Sequence, residues 1–192
     1  MKIDRTPLLN TFESFVRCGH GLVVGAPGVG KTYLVSELSK RLERQLVPNL
    51  HIPVDGLGDG TANEIQEALE IDKDLITKLK EEGVVGGILL LDGYDAARSE
   101  KGQRNLLEFI RRAKRELNSW NVIVVVRTYD AEKSPELKDL FPVGSVGDSN
   151  QVHCRHFVIP PLDEIEIQTL AEESPNLLEA YSTASVAQKA RD

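Results

Sequence analysis

The stretch Gly25-Ala26-Pro27-Gly28-Val29-Gly30-Lys31-Thr32 fits the phosphate-binding pattern G-x-x-x-x-G-K-[ST] with no substitution. Its chemistry is anion capture by backbone. Glycines let the chain curl so that several N–H groups point at one anion. A helix opening at the end of the loop adds its positive dipole end at the same point. Lys31 is expected to reach the β- and γ-phosphates as a point charge, and Thr32 to offer its hydroxyl to Mg²⁺. Tyr33, the next residue, completes the expected nucleotide-contacting set, Gly25 to Tyr33.

Further along, Ile88-Leu89-Leu90-Leu91-Asp92 is an apolar run closed by a carboxylate. A hard oxygen held at the edge of a dry sheet, facing Thr32, is what a Mg²⁺ ion needs. Asp95 follows in Asp92-Gly93-Tyr94-Asp95. It either orients an attacking water as general base or caps the turn that comes next. Val125-Val126-Arg127 closes a second apolar run on an arginine. That guanidinium either senses the γ-phosphate and stabilises transferring charge, or sits in a surface salt bridge. The expected catalytic set is Lys31, Asp92, Asp95 and Arg127, with Thr32 and Asp92 as metal ligands. Arg98 is a less supported second arginine.

Residues so far apart in sequence meet only if the fold gathers them. Apolar runs predict strands at about His20–Val24, Leu50–Val54, Gly87–Leu91, Trp120–Val126 and Arg155–Ile159. Helical spacing predicts helices over Thr6–Arg17, Tyr33–Arg44, Lys73–Glu82 and about Gln103–Asn118, with a short one around Glu136–Leu140. Thr61 with Glu64, and Asp163 with Glu166, mark further helix starts, and Ser174-Pro175 marks another. Strands alternating with helices imply a parallel sheet with helices on both faces, the three-layer α/β arrangement. Ligands of such sheets bind beyond the carboxyl ends of the strands, so Gly25, Asp92 and Arg127 are expected to share one crevice.

The 192-residue chain is long enough for one domain with a proper core. Its net charge of −7 argues against broad binding of nucleic acid or anionic membranes. The basic stretch Arg111-Arg112-Ala113-Lys114-Arg115 lies opposite the apolar stripe Leu106, Ile110, Ala113 and Leu117, as a solvated helix face would. No signal peptide or membrane-spanning run is visible, so free Cys18 and Cys154 in a reducing cytoplasm are expected. His153-Cys154-Arg155-His156 holds metal-ligand types, but no second ligand cluster accompanies it.

On these residues the chain resembles the signal-transduction ATPases with numerous domains, the STAND class, and most closely its NACHT-like branch. Gly25–Thr32 matches that family's phosphate loop. Asp92-Gly93-Tyr94-Asp95 matches its metal-strand pattern, and Arg127 its arginine after the sensor strand. Pro160-Pro161-Leu162-Asp163-Glu164-Ile165 is similar to the turn that opens its helical lid. The resemblance implies a P-loop NTPase sheet of about five strands in the order 5-1-4-3-2. It also implies ATP as ligand, and a switch between closed ADP and assembled ATP states with self-association. Residues 1–162 would form the ATPase core, and 163–192 the first helices of a truncated helical lid. The family usually has a second acid where Ala96 stands, which bears on hydrolysis rate.

The expected function is therefore a Mg²⁺-dependent ATP switch with slow hydrolysis, holding ATP or ADP. Two alternatives stay open. One is an AAA+ type ATPase acting on DNA or protein, a class that normally carries Glu directly after the metal Asp, where Gly93 is found here. The other is an ATP-binding domain without hydrolysis. A GTPase would need an Asn-Lys-x-Asp guanine pocket, which is absent from the sequence.

Overall fold

The computed structural model describes residues 5–97, 99–143 and 154–173. Five strands form one parallel sheet: β1 (Gly21–Gly25), β2 (Asn49–Pro53), β3 (Gly87–Asp92), β4 (Trp120–Arg127) and β5 (His156–Val158), in the order β2-β3-β4-β1-β5. Read from the other edge, this is the order 5-1-4-3-2 that the family resemblance implied.

The alternation of side chains sorts the core into two layers. Val23, Ile88, Leu90, Ile123 and Val125 pack with Phe12 and Val16 of α1 (Thr6–Arg17) and Leu34, Val35, Leu38 and Leu42 of α2 (Lys31–Arg44). The alternate positions, Leu22, Val24, Leu89, Leu91, Val122, Val124 and Val126, face the other way. They meet α3 (Ala62–Ala68), α4 (Leu75–Glu81) and α5 (Glu100–Glu116), and then α6 (Thr128–Lys133) and α7 (Pro135–Asp139). Strands apolar on both faces are what a covered parallel sheet requires.

Two helix starts differ from the sequence reading because a side-chain cap sets them. α4 opens at Leu75 rather than Lys73 because Asp74 Oδ1 accepts from the Thr77 N–H at 3.1 Å. α5 opens at Glu100 rather than Gln103 because Ser99 Oγ accepts from the Gly102 N–H at 2.8 Å. Gly102 has no Cβ to crowd that cap, since one would lie 3.0 Å from the same oxygen. The capping box expected at Thr61 with Glu64 is present, and the helix start expected at Asp163 with Glu166 is one too, opening α8 (Glu164–Glu173). The helix α6 was not anticipated, being too short to display an apolar stripe. The helix start at Ser174-Pro175 and the rest of segment 174–192 lie outside the described residues, as do Arg98 and His153.

The basic stretch on α5 is held in intramolecular pairs. Arg112 grips Asp74 with two nitrogens at 2.8 and 2.7 Å, Arg111 faces Glu108, and Arg115 faces Glu116. Lys114 lies over the Phe141 ring and donates to the Leu140 carbonyl. Among the described residues no helix is long and apolar enough to cross a membrane.

Gly87 opens β3 against the Trp120 indole, and a Cβ there would overlap the ring's carbons. Overpacking of this kind costs about 1–3 kcal/mol. Gly87→Ala is therefore expected to lower the urea midpoint by a corresponding amount; an unchanged midpoint would mean that the indole yields freely.

Candidate functional site

The phosphate loop leaves β1 at Gly25, where there is no room for a side chain. A Cβ would come within 3.0 Å of the Ile159 carbonyl oxygen and of Val29 Cγ2. Val29 is 2% exposed and anchors the loop in the core below it. Gly28 and Gly30 adopt φ of 80° and 87°, the left-handed region open to glycine. Gly30 is the N-cap of α2, so the helix dipole starts at the loop. Thr32 and Tyr33 are exposed on its first turn. A curled backbone, two left-handed glycines and a helix start together form a cradle that fits a polyphosphate.

Lys31 folds back over this cradle. Its Nζ donates to the Gly25 and Ala26 carbonyl oxygens, each at 2.9 Å. Burial pushes the Lys31 amine below its usual range. Asp95, Asp92 and Asp130 oppose that shift, and Arg127 adds to it. These five charges therefore share one electrostatic neighbourhood, as expected for groups at adjacent strand ends.

The register brings the others there. Gly25 pairs with Arg127 across β1 and β4, and Asp92 with Val125 across β3 and β4. Asp92 is 6% exposed. Its carboxylate and the Thr32 hydroxyl are hard oxygens, the donor type that Mg²⁺ takes. After Asp92 the chain turns at Gly93, with φ of 83°, into a single 3₁₀ turn, Tyr94–Ala96. That turn aims Asp95 at β4, where its Oδ2 lies 2.6 Å from Arg127 Nε. Asp95 is largely buried and Arg127 half exposed. The salt bridge that sequence offered as one reading of Arg127 thus exists, and its partner, Asp95, is another of the candidate catalytic residues.

Two residues of this neighbourhood escaped the sequence reading. His51 on β2 places Nε2 3.4 Å from Asp92 Oδ2, and this buried nitrogen has no hydrogen-bond partner. Nothing in the sequence marks it, because a histidine between Leu50 and Ile52 gains its neighbour only through strand register. Asp130 enters through α6, the helix that sequence did not reveal. A separate groove of about 810 Å³ lies along α5 and α6–α7, lined by Tyr94, Arg104, Arg111, Lys133 and Glu136. No residue of the phosphate loop lines it.

The model of the ATPase family associated with various cellular activities, AAA, matches residues 21–139. The chain belongs to the AAA family. The matched span holds the phosphate loop, Asp92 to Asp95 and Arg127. No curated protein matches this AAA chain in sequence. Solved structures share its fold at low identity. A Walker-type ATPase of Pyrococcus abyssi is 16% identical with a TM-score of 0.56, over 94% of this chain and 63% of that one. Cdc6p from Pyrobaculum aerophilum is 17% identical with a TM-score of 0.56, over 92% and 50%. Orc1 of Aeropyrum pernix, solved in complex with DNA, is 15% identical with a TM-score of 0.52, over 90% and 49%. The chain spans about half the length of most of these structures.

At Gly93 a Cβ would meet nothing within 4 Å, so the requirement for glycine is one of backbone alone. A left-handed φ costs an ordinary residue about 1–2 kcal/mol. Gly93→Ala should destabilise by that amount in urea unfolding, and no loss would show that the turn toward Asp95 is not strained.

Proposed function

We propose that this AAA domain is a Mg²⁺-dependent ATP switch with slow hydrolysis, and that Arg127 is its γ-phosphate sensor. The observation that carries the reading is the Arg127–Asp95 pair of 2.6 Å at the mouth of the phosphate loop. A guanidinium holds one carboxylate well and a phosphate equally well, but its Nε edge cannot serve both at once. An arriving γ-phosphate would compete with Asp95 for Arg127. The carboxylate so released is free to accept a proton from a water in line with that phosphate.

Lys31 has the charge and reach to leave the Gly25 and Ala26 carbonyls for the phosphates. Gly25 to Tyr33 line the nucleotide, and Thr32 and Asp92 would hold Mg²⁺. When bound, the ion would neutralise charge between the β- and γ-phosphate oxygens. Slow turnover follows from Gly93 and Ala96, which stand where related ATPases carry an acid. Asp95 remains as the general base, and until nucleotide arrives it is engaged by Arg127.

Asp92-Gly93-Tyr94-Asp95, with Arg127 at the end of β4, supports the narrower STAND, NACHT-like assignment. In that setting residues 1–162 are the ATPase core and 163–192 begin a lid, with self-association in the ATP state. A second reading is an AAA+ ATPase acting on DNA or protein, favoured by the likeness to an Orc1 solved with DNA. Turnover accelerated by duplex DNA would support that reading over the first.

Calorimetric titration with Mg·ATP and Mg·ADP tests the site. Lys31→Ala should weaken Mg·ATP binding by at least tenfold, about 1.4 kcal/mol or more; binding at wild-type affinity would remove the phosphate loop from the site. Arg127→Ala should narrow the preference for ATP over ADP. Equal weakening of both nucleotides would sink the sensor role.

A further inference from the structure

Arg5 is a buried arginine at the N-cap of α1, only 9% exposed. Its guanidinium joins three segments distant in sequence. Nη1 donates to the Val29 carbonyl of the phosphate loop at 3.1 Å, a buried bond. Nη2 donates to the Pro160 carbonyl at 3.4 Å, where the chain leaves the sheet. Nε and Nη2 grip both carboxylate oxygens of Glu166 on α8, at 2.6 and 2.9 Å. Glu166 is in turn fixed by its capping box. Its Oε2 accepts from the Asp163 N–H at 2.9 Å, and its own N–H donates to Asp163 Oδ1 at 2.8 Å.

The geometry points to Arg5 and Glu166 as positioning residues that couple the phosphate loop to helix α8, a role that rests on the nucleotide reading above. In a trans peptide the N–H points opposite to the C=O. An arginine that grips the Val29 carbonyl therefore fixes the Gly30 N–H in the opposite direction. A carbonyl oxygen would repel a phosphate, so Arg5 holds it on the outer side of the loop. The Gly30 N–H would then face a bound phosphate. Gly30, with φ of 87° and nothing within 4 Å of an added Cβ, has no side chain to hold that plane itself.

Glu166 sets Arg5 in the same way. A bidentate carboxylate fixes the plane and the rotation of the guanidinium, and with them the position of Nη1. Net stability is a poor explanation for such a pair, since burying two charges offsets most of their attraction. Coupling is a better one, because it needs geometry rather than energy. Coupling free energies are reciprocal. If α8 helps to shape the loop, an occupied loop must hold α8 more tightly.

The test uses the 192-residue chain with Mg·ATP and Mg·ADP, read by calorimetry and by amide hydrogen exchange over α8. Arg5→Lys keeps the charge but loses the fork, and Glu166→Gln keeps an acceptor for the capping box but loses the charge. In the unaltered chain, ATP should slow exchange across Glu164–Glu173. Both variants should bind Mg·ATP more weakly, by about threefold to tenfold for loss of one charge-assisted contact. Both should also lose the ATP-dependent part of α8 protection. A purely structural pair would lower thermal stability while leaving that ATP-dependent difference intact, and this result would overturn the coupling. So would wild-type affinity in both variants. Failure of the unaltered chain to bind nucleotide would instead overturn the site reading, and the coupling with it. If Arg5→Lys does not fold, Glu166→Gln carries the test alone.

Discussion

A cradle of backbone N–H groups keeps its shape only if something else holds the carbonyls of the same peptides. Side chains cannot substitute for the cradle, because the loop has almost none that reach inward. The fold answers from outside. Ile159 presses against Gly25 so closely that only glycine fits, Val29 is driven into the core beneath, and Arg5 grips the Val29 carbonyl. The rest of the domain positions these supports: α1 carries Arg5, β5 leads to Ile159, and β1 delivers Gly25 at the right height.

The second constraint is charge. Lys31 and Arg127 face Asp92, Asp95 and Asp130 across one crevice, so the cations are already balanced by carboxylates before any anion arrives. A polyphosphate entering such a site is accommodated by exchange of partners rather than by a pre-formed positive hole. On the proposed reading, that exchange is what makes the site a switch. The cation that leaves Asp95 and the carboxylate that is freed are two halves of one event.

Motif and periodicity made much of this legible. The phosphate loop, Asp92 and Arg127 were visible because each closes an apolar run, and the sheet gathers run ends. The helix Thr6–Arg17 was readable to the residue because Leu8, Leu9, Phe12, Phe15 and Val16 repeat along one face. What stayed hidden depends on contacts between distant segments. His51 reaches Asp92 only through the register of β2 on β3, and Arg5 meets Glu166 across 161 positions. Asp130 needed a helix too short to announce itself. Asp95 was seen but its partner was not, since the turn at Gly93 decides where it points. The chain belongs to AAA, and the narrower STAND resemblance rests on the phosphate loop, Asp92-Gly93-Tyr94-Asp95, Arg127 and the turn Pro160-Pro161-Leu162-Asp163-Glu164-Ile165.

Lys31 carries one more consequence. With its ammonium tied to the Gly25 and Ala26 carbonyls, the loop is plugged by its own cation. Any incoming anion must replace two good hydrogen bonds, and the net value of a hydrogen bond is about 1 kcal/mol. Chloride or a single small oxyanion offers the ammonium little in return. A chain of phosphates offers several oxygens at once, and the loop amides besides. On the proposed reading, the plug would act as an ion filter that favours a ligand of sufficient charge and length.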